Sequence, residues 1–348
     1  RTSRGCTSWH ARVRDRRTGT MRTVLACLVA ALLGAPAHGF LAPAAVMRPV
    51  GRSAPALRSA RFQAAAPPSL SATGRRRTGL TMTACATIKP SSNKSVREHL
   101  STMVGDLANK IEQVLGEELE LEPFDLPQDL VRVAGEVDGA MCVIENSTWQ
   151  TKNFRKVHIE LATFFNSAGD RSGLDILHCV LFPRHEVVGA QIPMFGCDVV
   201  CVRDTVTAAI VDLSPMTREK KLSKDYTKVY DEVCKGLTDF EEPRDIPEFG
   251  SHIFGDRCIF VRPSGAEECE QFVELCGEVL RLHCYQTEKL TDGYTPSDDD
   301  VQEALEGQNL YCEKQSENEK TRKILEGSFG VDWTERYMTT LLFDKPVV

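Results

Sequence analysis

From residue 95 onward, apolar positions fall into three successive patterns. The first is helical. Ser95-Val96-Arg97-Glu98 reads as a capping box, and apolar residues then recur at helical spacing to about Leu115. Between about 128 and 212 the period shortens to that of strands. The β-rich runs are Val131–Val133, Ala140–Ile144, Lys156–Ala162, Leu174–Phe182, Phe195–Val202 and Ala208–Asp212, with turns at Asn166–Gly173 and Pro183–Pro193. The helical period then returns. Met216–Cys234 predicts a helix, and Cys258–Val261 one more strand closed by Arg262-Pro263. A second capping box at Ser264–Glu267 opens a helix to about Tyr285. Ser297 caps a long helix through Phe329, and a last helix begins near Val331. Consecutive short strands followed by helices predict an antiparallel sheet covered by helices on its faces, as one α/β/α domain over 86–348.

Charge divides the chain differently. Residues 1–94 hold 16 Lys and Arg and a single acid, Asp15; subtracting from the totals of 42 and 49 leaves 26 basic and 48 acidic residues beyond, a net of −22. A body that acidic repels a polyanion, which argues against general nucleic-acid binding. Within the basic part, Met21 and Arg22 precede an apolar run from Thr23 to Leu33 and Ala37-His38-Gly39, the layout of a signal peptide with its cleavage site. The run is too short for a comfortable membrane span. Phe40 follows, then an Ala-, Arg-, Ser- and Pro-rich stretch without Asp or Glu. This resembles the bipartite presequence that carries proteins into complex algal plastids. Residues 1–85 are therefore expected to be a presequence absent from the mature, membrane-free stromal protein. The alternative is a secreted protein with a linker. Thirteen Cys without a C-x-x-C pair count against it, since scattered Cys among apolar residues read as buried free thiols.

Three polar clusters interrupt runs that otherwise belong in a core. His158 and Glu160 share one face of Lys156–Ala162, His178 lies inside Leu174–Phe182, and Asp198 inside Phe195–Val202. Each alone fits a satisfied core histidine or a carboxylate on a wet face. Together they fit a set of proton donors lining a pocket, or a metal site. No G-x-G-x-x-G or Walker loop accompanies a strand, so the sequence gives no sign of a bound nucleotide, nicotinamide or flavin.

At these residues the chain resembles a known family. Phe154–Ala162, Leu174–Cys179, Phe195–Asp198 and Ala209–Pro215, then Phe260–Ser264, Asn318–Arg322, Glu335–Met338 and Leu342–Asp344 resemble the ferredoxin-dependent bilin reductases, in order and spacing, from about 130 to 348. The pair His158-x-Glu160 resembles the members that form phycocyanobilin, and Asn318 stands where several relatives carry Asp. The loops Phe165–Ser172 and Arg184–Gln191 are longer than the family pattern.

The resemblance implies a three-layer α/β/α sandwich with a largely antiparallel central sheet, acting as a monomer. It implies a four-electron reduction of biliverdin IXα to phycocyanobilin through 18¹,18²-dihydrobiliverdin. Electrons would come singly from reduced [2Fe-2S] ferredoxin, with no metal or organic cofactor on the enzyme. Asp198 would protonate the bilin, its pKa raised by an apolar strand, with His178 feeding it. Glu160 would protonate the D-ring vinyl, positioned by His158. Arg262, Lys320, Lys156 and Thr207 match positions at or near the two propionates. Lys152, Arg155, Lys156, Lys320, Arg322 and Lys323 are candidates for a basic patch that docks ferredoxin, with turnover falling as salt rises. The alternatives are a two-electron member making phycoerythrobilin or dihydrobiliverdin, and a bilin carrier without activity.

Overall fold

The computed structural model describes residues 95–346 apart from 138 and 167. The expected presequence, 1–85, lies outside the described residues. Ser95 caps a 3₁₀ turn at Val96–His99, its hydroxyl accepting from Arg97 N, and helix α1 starts only at Thr102, running to Glu118. Its stripe of Val104, Leu107, Ile111 and Leu115 is fully buried. Each such side chain contributes about 1.5–3 kcal/mol.

The strands are β1 (Glu122–Pro123), β2 (Arg132–Val137), β3 (Ala140–Gln150), β4 (Phe154–Phe165), β5 (Arg171–Pro183), β6 (Met194–Val202), β7 (Thr205–Ser214) and β8 (Ile259–Val261). They form one eight-stranded sheet in the order β3-β4-β5-β6-β7-β8, with β1 and β2 on the two ends of the outer edge of β3. Each of these pairings is antiparallel. The strands outrun their apolar cores because pairing continues past the last buried residue, into the turns expected at 166–173. Val131 ends a one-turn helix instead of opening a strand.

Helices cover both faces. On one side lie α1, α2 (Lys224–Val233) and α3 (Gly265–Thr291); on the other lie α4 (Asp298–Ser316), α5 (Glu319–Phe329) and α6 (Val331–Tyr337), the last running into a π turn at Met338–Leu342. The sandwich is therefore the expected α/β/α. Helix ends and caps differ in places: α3 runs on to Thr291, past the expected Tyr285. α2 starts at Lys224, where Ser223 caps it, so 216–223 is not helical. Ser264 makes no side-chain cap; Glu268 reaches back to Ser264 N instead. The long helix expected through Phe329 breaks at Glu317 and Asn318, where the Asn318 side chain accepts from Lys320 N and Thr321 N and starts α5. α5 can lie close on β2 because residue 135 is Gly: a Cβ there would meet Ser328 O at 2.2 Å.

Candidate active site

The sheet register assembles the site. Asn146, Glu160, His178 and Asp198 are direct cross-strand neighbours on β3, β4, β5 and β6, followed by Ile210 and Phe260. Four polar residues far apart in sequence thus form one row across the face toward α4–α6. His158 lies two residues along β4 on the same face. The row from Glu160 to Phe260 borders a cleft of about 1070 Å³, counting its open mouth. Its walls are otherwise largely apolar, with Asn318, Thr321 and Ile324 from the start of α5, and Leu342 and Phe343 from the chain end.

The polar groups hold one another in fixed roles. His178 Nδ1 lies 2.5 Å from Asp198 Oδ1. Burial works against the imidazolium of His178, but the Asp198 carboxylate and Glu160 more than offset it, and the pKa is raised. Burial raises Glu160, with the His178 charge and a hydrogen bond from Tyr337 holding it partly back. The net direction is upward, which makes Glu160 a weaker acid than a free carboxyl. His158 is pushed far down, by burial first and then by Lys156 and His178, so its ring is neutral. Its tautomer follows from Asn146. The Asn146 amide nitrogen donates to Leu130 O at 2.8 Å, which turns its oxygen toward His158 Nε2 at 2.9 Å. His158 therefore carries its proton on Nε2 and leaves Nδ1 an acceptor without a partner among the described residues. His178 Nε2 likewise has none among the described residues.

The expected environment of Asp198 needs correction. Its side chain is 40% exposed, opening to the cleft, because a row at a cavity edge is covered on one side only.

The basic residues divide. Lys320, in the first turn of α5, is lowered by burial first and then by the charge of Arg244. Lys156 is not a propionate contact here. It is wholly buried under the chain end, its ammonium bonded to Asp344 and Leu341 O and lying over the Phe182 ring at 4.2 Å. Arg155 is also bound to Asp344, so neither it nor Lys156 offers a free charge to a docking partner. Arg262 pairs with Glu242 at 3.4 Å on the wall of a separate groove. Thr207 spends its hydroxyl on Val200 O, and its own carbonyl accepts from Arg244 at 2.7 Å. Asn318 lines the cleft and also caps α5.

Three residues escape the sequence reading. Arg244 sits in a run of charges that reads as a loop. Its backbone pairs with Phe260 O beside β8, which brings its guanidinium 5.5 Å from the ring of Phe260, a cleft residue. Asn146 and Tyr337 carry the polar network behind Glu160. The Glu335–Met338 run was the only available signal for Tyr337, and for Asn146 it was a polar residue after Ile144 at strand spacing.

Known proteins resemble this chain over most of the described domain. Residues 108–344 match the family model of the ferredoxin-dependent bilin reductases. A phycocyanobilin:ferredoxin oxidoreductase of Trichodesmium erythraeum is 41% identical over 245 residues, 70% of this chain and 94% of that protein. One from a Synechococcus species is 41% identical over 262 residues, 74% of this chain and 98% of that one. Among solved structures, phytochromobilin synthase from tomato in complex with biliverdin superposes with a TM-score of 0.54 at 14% identity, over 69% of this chain and 82% of that one, a likeness of fold.

Proposed function

The chain belongs to the ferredoxin-dependent bilin reductases, oxidoreductases that draw electrons from ferredoxin, and we propose that it reduces biliverdin IXα by four electrons and four protons to phycocyanobilin, through 18¹,18²-dihydrobiliverdin. The observation that carries this reading is the row Glu160–His178–Asp198 along one apolar cleft. The bilin is itself a conjugated electron acceptor, so the protein need only hold it and deliver protons as single electrons arrive from a [2Fe-2S] ferredoxin.

Each residue has a part suited to its surroundings. Asp198, open to the cleft, protonates the bilin and is served by the imidazolium of His178. Glu160, with its raised pKa, delivers the proton to the D-ring vinyl group. His158, fixed as the Nε2–H tautomer, orients the network behind Glu160 and offers Nδ1 as an acceptor. Lys320 and Arg244, two cations held near each other, suit the bilin propionates, and Asn318 contacts the pigment from the helix start. These residues all come from one chain, so a monomer suffices for the site. Residues 1–85, a signal followed by an acid-free stretch, support delivery to a plastid stroma.

Anaerobic turnover of residues 86–348 with biliverdin IXα, ferredoxin, its reductase and NADPH tests the reading. Phycocyanobilin forming after transient dihydrobiliverdin is the expected result. Dihydrobiliverdin or phycoerythrobilin as end product would overturn the four-electron assignment, and binding without reduction would point to a carrier.

A further inference from the structure

Tyr337 closes α6 and is fully buried. Its hydroxyl meets two acceptors, Glu160 Oε2 and Asn146 Oδ1, the second at 2.9 Å. Asn146 cannot turn to offer its nitrogen, because that nitrogen is committed to Leu130 O. A phenol has one proton to give and an oxygen that accepts. With Glu160 ionised, the phenol donates to the carboxylate, the stronger acceptor. With Glu160 protonated, the carboxyl O–H donates to the phenol oxygen, and the phenol proton turns to Asn146. Both states of Glu160 find a partner at the same place, with only a hydroxyl rotating.

We propose that Tyr337 is a positioning residue that holds the Glu160 carboxyl in one orientation through both of its protonation states, so that Glu160 gives up a proton to the bilin and is reloaded without leaving its line to the cleft. This rests on the reading of Glu160 as proton donor. The phenol itself is clamped: Trp333 stacks on it with ring centroids 4.6 Å apart at 18°, and Phe329 lies 4.4 Å from Trp333. The aromatic column thus ties the orientation of a β4 side chain to the helices at the chain end. Tyr337 is not a relay. Beyond it stands the Asn146 oxygen, which has no proton to pass on, so Glu160 is reloaded from the cleft side.

The groups facing Glu160 define the expected pH response. His158 lies on its own strand, with Lys156 further along it; Cys142 comes from β3, His178 from β5, Asp198 from β6 and Tyr337 from α6. Of these, the Tyr337 bond and the His178 charge favour the ionised carboxyl. Loss of the phenol hydroxyl therefore makes Glu160 a weaker acid. An acid that must be protonated to work loses activity as pH rises through its pKa, so the basic limb should move to higher pH.

The test compares Tyr337→Phe with Glu160→Gln in anaerobic turnover over a range of pH, following loss of biliverdin and loss of the first reduced intermediate separately. In Tyr337→Phe, the Glu160-dependent reduction should slow by about 10- to 100-fold in kcat with little change in KM, as a misplaced donor does. The other reduction should stay near wild type, and the basic limb of the slowed step should shift upward. If Tyr337→Phe does not fold, 3,5-difluorotyrosine at 337, nearly isosteric with a more acidic phenol, should move the same limb downward. Equal slowing of both reductions, or an unmoved limb while Glu160→Gln blocks one reduction, would overturn the role of Tyr337 and leave that of Glu160 standing. Two intact reductions in Glu160→Gln would instead remove the Glu160 assignment, and this inference with it.

Discussion

The two faces of the central sheet differ by one residue of register and by everything that covers them. On the face toward α1 and α3, the row reads Ile159, Cys179, Cys197 and Val211, each at most 1% exposed. One residue further on, toward α4–α6, β4, β5 and β6 carry Glu160, His178 and Asp198. The pleat gives both rows the same spacing. Around this row the neighbours under α1 and α3 are apolar groups and neutral thiols, and the buried carboxylate further along the same face, Asp175, is there only with Thr163, Ser101 N and Arg171 as partners. Cys197 and Cys276 sulfurs lie 3.6 Å apart there, and burial pushes the thiols of Cys179 and Cys276 well up, which keeps them unreactive. On the other face the cleft and the Asn146–Tyr337 network supply what ionisable groups need. The candidate site lies where helix cover is left incomplete over a polar row.

That contrast can be broken most severely by moving a charge across the sheet. Cys197→Asp would set a carboxylate among Cys179, Cys276 and the α3 side chains without a partner. It should cost several kcal/mol and leave little folded protein, as urea denaturation would show. Next comes the buried ion pair on the polar face. Asp344→Ala strands the ammonium of Lys156 and should destabilise by about 3–5 kcal/mol, whereas Lys156→Met, which removes the charge and keeps the stem, should be nearly neutral in stability and in KM for biliverdin. A rise in KM with Lys156→Met would return Lys156 to the substrate. The smallest effect separates the two basic candidates. Lys320→Ala should raise KM by about 10-fold, the value of one charge-assisted bond, with kcat preserved. Arg262→Ala, whose partner is the exposed Glu242, should change KM by less than about twofold.

What the sequence disclosed follows the same physics. Strand alternation placed His158, Glu160, His178 and Asp198 on sides of their own strands, and the family motifs united them. Register was not legible, so the direct opposition of Glu160, His178 and Asp198 had to come from the structure. Alternation also put Lys156 on the same face as Glu160, but could not show that Asp344 would close over it from 188 residues away. Arg244 was missed and Arg262 preferred for a related reason: each basic residue lies near β8, and only the pairing of 242–244 along that strand decides which guanidinium approaches the cleft. The break at Asn318 was hidden because the cap is a single side chain within a continuous helical pattern. Tyr337 and Asn146 are bonded across 191 residues, which no local period encodes.

The central claim is that the row facing the cleft performs the chemistry while the rest of the cleft holds the pigment. Single-turnover reduction of biliverdin by Asp198→Asn, under anaerobic reduced ferredoxin and with pigment affinity measured on the same sample, tests it most directly. Affinity should stay close to wild type, and reduction should slow by about 10²- to 10⁴-fold. The His178 pKa should fall in the variant, because burial then acts with only Glu160 opposing it. Reduction at a rate within a few fold of wild type would contradict the account.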